Sequence, residues 1–523
     1  MGKSITISIA VFLLLLIIGF QVYTSIKLNN DTWVYPLDDT YIHMSIGKNL
    51  AQYGKWGITK YEFTSSSSSI LYTLLIALTF KIAGPIEQIP LYLNIIFGVL
   101  IFIVLGIIFK KEHIKSITAG IICMLVLFLS PLPSLIISGM EHTLQILIDV
   151  IYLYLASRAL ESKDFSKKRL ALLLLFSALS VMIRFEGIFM VGIISMLYLV
   201  KKDLKTSILV FIAGILPIVV FGIYSIQHGA YFIPNSLLMK GEKPGMNLGG
   251  LIQFAFGWLD KLKRNPHLLT LFLMLCANFI YLRTRKVSLW SRTSIVGTIV
   301  VLTMIIHLTL AKTGWFFRYE AYLMFTGLFA FTWFVNDEIL FFIFKREHIW
   351  KYVAIVILLM PTFYPLYARG KDALLTTVPA TKNIYEQQYQ MALFLKKYYN
   401  DASVGANDIG AICFFTDIKL FDIFGLGSKE IIQLRIRKMF DKEHIYEVSR
   451  QKNTQIAVIY EDWFIGKVPD QWKKAGAWKI SDNVILGGDM VSFFATEQYD
   501  TAALKKNLSA FEQLLPASVE VLP

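Results

Sequence analysis

The stretch Phe12-Leu13-Leu14-Leu15-Leu16-Ile17-Ile18-Gly19-Phe20 establishes the fold class of this chain. It forms the centre of an apolar segment that runs from Ile5 to about Ile26, which is long enough to cross a bilayer. The segment lacks a small-residue cleavage site and is too long for a signal peptide, so we interpret it as a retained membrane helix.

The rest of the composition points the same way. Of the 523 residues, 55% are hydrophobic and only 17% are charged, whereas soluble domains contain about 25% charged residues. Further apolar segments lie at about 70–84, 90–109, 116–131, 143–157, 170–183, 187–200, 206–226, 267–282, 293–311, 320–336 and 351–368. With the first, they make twelve candidate membrane segments and predict a polytopic α-helical membrane protein.

Basic residues indicate the orientation of these segments. The net charge of +14 comes largely from short loops between apolar segments, which is typical of cytoplasmic loops and of contact with anionic lipids rather than nucleic acid. The cytoplasmic clusters place the outer loops at 132–142, 184–186, 227–266 and 312–319, together with the chain after Ala368. A cytoplasmic N-terminus and an outer C-terminal part require an odd number of crossings. We therefore expect eleven, with the short segment 70–84, which carries Lys81, not crossing.

The composition changes after Ala368. We therefore predict a membrane domain over residues 1–368 and a soluble α/β or α+β domain over residues 369–523, outside the membrane. In the second domain, periodicity predicts helices over Tyr385–Tyr399, Ser428–Phe440 and Thr501–Leu515 and strands over Ile456–Tyr460 and Met490–Ala495. The three cysteines, Cys123, Cys276 and Cys413, have no metal-ligand spacing and indicate no disulfide framework.

Two adjacent carboxylates, Asp38 and Asp39, lie in Pro36-Leu37-Asp38-Asp39-Thr40-Tyr41-Ile42-His43, just outside the first apolar segment. Carboxylates at a membrane boundary favour a functional site, although they also suit a helix N-terminus. Residues Asp39–Tyr53 have amphipathic helical spacing, which predicts a helix on the membrane surface. The serine run Ser65–Ser69 is either a flexible linker or a helix N-terminus at which hydroxyls cap free amides.

Other charged and polar residues fall on the same outer side as the aspartate pair. Each has a structural explanation, such as an ion pair between helices, a snorkelling arginine or a loop lysine. Together they favour a site, because the cytoplasmic side shows only basic anchors. These residues are Glu141, Arg184, Glu186, Asn235, Lys240, Arg318 and Tyr319.

This set of side chains suggests a specific chemistry. A carboxylate at a water-exposed membrane face can deprotonate an acceptor hydroxyl as a general base. Arg184, Lys240 and Arg318 can hold a phosphate, because guanidinium binds its oxygens bidentately and lysine adds a point charge. A phosphate at the outer surface suggests a sugar carried on polyprenyl phosphate. The sequence contains no nucleotide-binding fingerprint.

Eight stretches, taken in their order along the chain, carry a resemblance to known proteins. They are Leu37–His43 with Lys48–Ala51, Ser67–Leu75, Ser138–Glu141, Ile183–Gly187, Pro234–Lys240, Arg318–Tyr319, Asn407–Ala411 and Asp422–Leu426. They resemble the motifs of bacterial integral-membrane glycosyltransferases of the GT-C class. The named families that they resemble are the mycobacterial terminal arabinofuranosyltransferases and, more distantly, the aminoarabinose and protein mannosyl transferases. Departures occur at Ile70, which replaces a usual proline, and around Arg184, where Thr and Pro are lost.

The resemblance implies a GT-C fold and inverting transfer of a sugar from a polyprenyl-phosphate donor onto an envelope glycan or lipid. The reaction would take place at the outer face of the bacterial plasma membrane. By carry-over, Asp38 is the expected base with Asp39 supporting it. The expected donor- or substrate-binding residues are His43, Glu141, Arg184, Glu186, Asn235, Lys240, Arg318 and Tyr319. No cofactor is expected, although some relatives use a divalent metal.

Two other functions are compatible with parts of the sequence. A transporter or lipid flippase would use the carboxylates as proton or substrate sites, but such sites usually lie near the bilayer midplane between repeated halves. A non-catalytic envelope scaffold would use residues 369–523 as a binding module. It predicts that losing both Asp38 and Asp39 leaves cellular function intact.

Overall fold

The computed structural model describes residues 3–162, 166–240, 248–334 and 349–523. Over the described residues, every apolar segment predicted above lies in a helix to within two residues at its ends. The helices are α1 (Lys3–Leu28), α2 (Asp38–Tyr53), α3 (Ile70–Ala83), α4 (Ile89–Lys111), α5 (Ser116–Leu129), α6 (Leu132–Ile137), α7 (His142–Glu161), α8 (Lys167–Ile183), α9 (Gly187–Val200), α10 (Leu204–Gln227), α11 (Asn235–Lys240), α12 (Leu248–Arg264), α13 (Pro266–Thr284), α14 (Arg292–Leu310), α15 (Ala321–Phe334) and α16 (Ile349–Ile384).

Among the described residues, six helices are long and apolar enough to cross a membrane, namely α1, α4, α7, α10, α13 and α14. Helix α3, which we expected not to cross, has 14 residues and is therefore about 21 Å long, against roughly 30 Å for a bilayer core. The eleven crossings stay a prediction.

Helix α2 corrects the expectation of a helix lying on the membrane surface. Its residues from Thr40 to Gly47 are all buried, because α3 packs on one side and the C-terminal domain packs on the other. The amphipathic spacing therefore reflects contacts with protein rather than with lipid.

The predicted boundary between residues 368 and 369 falls inside α16, which continues to Ile384. A π-helical turn over Tyr385–Tyr389 and helix α17 (Gln390–Tyr398) follow without a break. The expected helix over Tyr385–Tyr399 is therefore the end of one long helical segment. The first strand of the C-terminal domain begins only at Ser403.

The C-terminal domain contains a six-stranded mixed sheet, as the predicted α/β or α+β class requires. Its strands are β1 (Ser403–Ala406), β2 (Lys419–Asp422), β3 (Ile456–Ile459), β4 (Lys473–Lys479), β5 (Met490–Ala495) and β6 (Glu520–Leu522), in the order β2-β1-β3-β5-β4-β6. β1 pairs in parallel with β2 and β3, whereas the remaining pairs are antiparallel. The helices are α18 (Gly410–Phe415), α19 (Lys429–Ile436), α20 (Lys442–Gln451) and α21 (Thr501–Glu512).

The loop after β2 connects this sheet to the membrane part. The buried carboxylate of Asp422 accepts hydrogen bonds from the amides of Phe424, Gly425 and Gly427 and so fixes the loop. The carbonyl of Leu426 then accepts from Ser66 Oγ at 2.9 Å and from the Asn235 side-chain amide at 2.9 Å. The carboxyl end of this parallel strand therefore lies against the serine run and Asn235, and functional sites of such sheets usually lie at that edge.

Candidate active site

The two adjacent aspartates at the start of α2 point to different partners. The Asp38 carboxylate accepts hydrogen bonds from the backbone amides of Gly410 at 2.7 Å and Ala411 at 2.8 Å, at the N-terminus of α18. Farther along α2, Lys48 Nζ donates to the carbonyl of Phe414 at 2.6 Å, at the other end of α18. The carboxyl group of Asp38 thus contacts the amide end of α18, and the ammonium group of Lys48 contacts its carbonyl end.

Asp39 points elsewhere, because successive helical residues are rotated by about 100°. Its carboxylate pairs with the buried guanidinium of Arg318. Asp39 also lines an internal cavity, and Asp38 is not among the residues that line it. The geometry therefore does not favour our choice of Asp38 as the general base, because both of its oxygens are engaged by the C-terminal domain.

The cavity has a volume of about 230 Å³ and combines charged and apolar walls. Asp39 and Glu186 contribute negative charge, and Arg184, Lys312 and Arg318 contribute positive charge. The other lining residues are Ser68, Met140, Phe185, Ile188, Phe189, Ile218, Ser236, Leu237, Leu310, Ala311 and Tyr319. Such a site can accommodate an anionic group and an apolar chain at the same time.

Glu141 is fully buried behind this cavity and contacts three other polar side chains. One carboxylate oxygen accepts from Arg184 Nη1 at 2.6 Å and from Ser68 Oγ at 2.9 Å, and the other lies 3.2 Å from His43 Nε2. Neither Glu141 nor His43 is among the cavity-lining residues. In this structure they hold Arg184 and Ser68 in place rather than facing the cavity as expected.

Arg184 is fixed by a second carboxylate. Glu186 accepts from Arg184 Nη2 at 2.7 Å and from Arg184 Nε at 3.2 Å, a bidentate arrangement. Both side chains come from the short break between α8 and α9, where the sequence placed an outer loop. Arg184 and Glu186 thus form an ion pair within one break between helices, and both side chains also line the cavity.

The serine run is buried and ordered rather than a linker. Ser69 Oγ accepts from the Tyr72 amide at 3.1 Å, so this serine caps α3 as the second interpretation required. The backbone amide of Asn235 donates to the Ser65 carbonyl at 3.0 Å, and its side-chain amide donates to the carbonyl of Leu426. Asn235 thus joins the serine run to the C-terminal domain and is not among the residues that line the cavity. The side chain of Lys240 lies outside the described part of the chain.

Sequence reasoning found Asp39, Arg184, Glu186, Arg318 and Tyr319 but missed other cavity residues. Lys312 lies in the predicted outer loop 312–319, and a count of cations in that loop would have included it. Ser68 lies in the serine run that the sequence leaves between a linker and a helix N-terminus, and in the matching stretch Ser67–Leu75, but it was not singled out as a site residue.

Asp408 was also missed as an individual residue, although it lies in the motif Asn407–Ala411. Its carboxylate accepts from Gln388 Nε2 and Tyr460 Oη, both at 2.8 Å. Burial, and then the nearby Asp408 carboxylate, raise the pKa of Asp38 to about 8, although the two amides oppose this shift. Burial also raises the pKa of Asp408.

We expect the contribution of Asp38 to thermal stability to fall as the pH rises from about 4 to about 8 and to change no further above that. The folded pKa of Asp38 lies above the unfolded value of about 3.9, so its contribution is complete below pH 4 and is lost as the pH rises through about 8. Asp408→Asn removes the neighbouring charge and should flatten this decline, as measured by the melting temperature across the pH series. Asp470→Asn, at an exposed surface pair with Lys442, is the control. An equal decline in both variants would contradict the assignment.

Glu141→Gln is expected to cost roughly 1.5–3 kcal/mol of stability, because it weakens the charge-assisted hydrogen bonds from Arg184 and Ser68 while Glu186 still balances the charge of Arg184. We also expect at least tenfold lower activity, since Arg184 loses one of its two fixed partners. The control is Glu161→Gln at the opposite end of α7, where Glu161 pairs with the partly exposed Arg292. Wild-type stability and activity in Glu141→Gln would show that the charge of Glu141 is not needed to hold Arg184.

Comparisons with known proteins match the C-terminal domain and the overall chain separately. A family model described as a domain of unknown function (DUF8728) matches residues 382–498. No curated protein matches the sequence. Among solved structures, the chain is similar to the apo crystal structure of an oligosaccharyltransferase from Archaeoglobus fulgidus, with 12% identity, a TM-score of 0.48, and coverage of 97% of this chain and 76% of that chain.

Proposed function

We propose that this protein is a glycosyltransferase with a GT-C fold that moves a sugar from a polyprenyl-phosphate donor to an envelope glycan or lipid. The observation that carries the proposal is one cavity in which the carboxylate of Asp39 meets three cations, Arg184, Lys312 and Arg318, beside an apolar wall. Each part of the expected reaction requires one of these features.

Asp39 is the proposed general base in place of Asp38. The acceptor hydroxyl gives its proton to the Asp39 carboxylate and its oxygen attacks the anomeric carbon. The bond between that carbon and the phosphate oxygen breaks, and the electron pair leaves with the polyprenyl phosphate. Attack from the face opposite the leaving group inverts the anomeric centre in one step.

The cations stabilise the leaving group. Negative charge develops on the phosphate as the bond breaks, so arginine and lysine side chains placed beforehand around it stabilise the transition state. Arg184 is the most firmly placed of these, because Glu141 and Glu186 hold its guanidinium from two sides. The polyprenyl chain has an apolar wall available, formed in part by Phe189, Ile218 and Leu310.

The location follows from the arrangement of charges. The loops that we assign to the cytoplasm carry the basic clusters at 110–115, 163–169, 201–205, 283–292 and 345–351. Most of the cavity wall comes from loops and helix ends on the other side of the helices. We therefore place the reaction and the C-terminal domain at the outer face of the bacterial plasma membrane. No metal enters this mechanism, and independence from divalent metal stays a prediction.

The proposal is tested in cells by comparing the envelope glycans of a deletion strain with those of the wild type, using mass spectrometry. We expect one sugar residue to be missing from one glycan or lipid. Expression of the wild-type chain should restore it, and expression of Asp39→Asn at equal level should not. Unchanged glycans with altered cellular uptake or lipid distribution would instead support a transporter or flippase.

A further inference from the structure

The turn that presents Arg318 to the cavity has an unusual backbone. Three consecutive non-glycine residues, Trp315, Phe316 and Phe317, have φ angles of 43°, 55° and 61°, and Gly314 before them has a φ of 85°. Bulky residues rarely adopt left-handed conformations, and three in succession persist only where surrounding contacts impose them. Something must therefore hold this turn, which ends directly at Arg318.

One buried ion pair holds both ends of the turn. Glu320 Oε2 accepts from the amide of Gly314 at 2.8 Å, and Glu320 Oε1 pairs with Arg369 Nη2 at 2.7 Å. Arg369 Nη2 also donates to the carbonyl of Phe317 at 2.7 Å. His267 Nε2 lies 3.4 Å from Glu320 Oε1 and adds a further contact.

The pair of Glu320 and Arg369, which we call the clamp, lies behind the cavity rather than in its wall. Glu320 is 1% exposed and Arg369 is 5% exposed, and neither is among the residues that line the cavity. A ligand in the cavity therefore does not contact them. Arg318 does line the cavity, so its guanidinium is the part of this arrangement that a bound anion would meet.

We infer that Glu320 and Arg369 are positioning residues that set the guanidinium of Arg318 toward the donor phosphate. The inference rests on the proposed function, in which Arg318 binds that phosphate. Arg369 belongs to α16, which continues toward the C-terminal domain, so the position of Arg318 is tied to the helix that joins the two domains. If the pair of Glu320 and Arg369 only stabilised the fold, it would not need to hold the strained turn that leads to Arg318.

Binding of farnesyl phosphate to the detergent-solubilised full chain tests this inference, with farnesol as the probe that lacks the phosphate. We expect Arg318→Gln to weaken the binding of farnesyl phosphate by roughly 30-fold and Glu320→Gln by about tenfold, both with little effect on farnesol. The double variant should bind within about twofold of Arg318→Gln, because Glu320 acts through Arg318. Glu112→Gln, which breaks a pair with Arg292 elsewhere in the chain, is the control and should leave both affinities unchanged.

Three results separate the inference from the proposed function. If the wild type does not prefer farnesyl phosphate to farnesol, the proposed function and the role of Arg318 are both overturned. If Arg318→Gln weakens binding while Glu320→Gln does not, or if the two effects multiply in the double variant, only the positioning role is overturned. Should Glu320→Gln fail to fold, Arg369→Lys is used instead. It keeps the charge, but its shorter side chain does not reach the position of Arg369 Nη2, which makes both contacts. The same non-additivity with Arg318→Gln is expected.

Discussion

Asp39→Asn is expected to lower the kcat for sugar transfer by about 10³-fold, because asparagine cannot accept the proton of the acceptor hydroxyl. The substitution is nearly isosteric and leaves an oxygen that can still accept from Arg318, so the fold should survive. Measurement of the initial rate with a polyprenyl-phosphate sugar and a purified full-length variant gives the value directly.

Asp38→Asn is the matched control for this prediction, since it changes the adjacent residue in the same way. Asparagine at position 38 keeps one acceptor for the amides of Gly410 and Ala411, so we expect less than a tenfold decrease in rate. The opposite pattern, in which Asp38→Asn abolishes transfer and Asp39→Asn does not, would contradict the assignment and support the choice drawn from the sequence resemblance.

Gly410→Ala is expected to disrupt the contact between α2 and the C-terminal domain. A Cβ atom at this position would lie 2.0 Å from the backbone carbonyl oxygen of Asp38 and 2.8 Å from its carboxylate. Because the first of these atoms belongs to the backbone, the two elements must separate. We expect a loss of about 3 kcal/mol in stability and a decrease of roughly 100-fold in activity, since α2 also carries Asp39.

The melting temperature and the transfer rate of the same preparation check this prediction. The control is Gly192→Ala in α9, where an added Cβ meets nothing within 4 Å. Near-wild-type stability in Gly410→Ala would mean that α2 and α18 are not closely packed in solution.

The sequence predicts the membrane part well because hydrophobic length is a direct physical signal. Each of the twelve apolar segments lies in a helix, since a lipid environment leaves the backbone few alternatives. Helix α2 shows the limit of the same reasoning. Its apolar spacing predicts a covered face but not what covers it, and here both faces meet protein.

The short strands of the C-terminal domain were harder to predict. Met490–Ala495 and Ile456–Ile459 carry runs of apolar residues and were predicted at nearly the observed limits. β1 consists only of Ser-Val-Gly-Ala, and all four residues are buried. It is a strand because it pairs with β2 on one side and β3 on the other, and its sequence shows no apolar alternation. No local signal marks such a strand.

The topology predicted from the sequence was enough to select most residues of the candidate site, whereas their individual roles depend on tertiary contacts. Placing charged residues on the outer side was enough to propose Asp39, Arg184, Glu186 and Arg318, which the structure brings to one cavity. The difference between Asp38 and Asp39 depends on α18, which lies more than 350 residues away in sequence. The roles of Glu320 and Arg369 depend on the backbone of one turn.

The most direct test of the central claim is the transfer reaction itself. The purified full chain is incubated with a polyprenyl-phosphate sugar and an envelope-glycan acceptor fraction, and both the glycosylated product and the released polyprenyl phosphate are measured. We predict that both appear in equal amounts with the wild type, that the new linkage has the inverted anomeric configuration, and that both form about 10³-fold more slowly with Asp39→Asn. Equal product formation by wild type and Asp39→Asn, or transfer with retained configuration, would contradict the account.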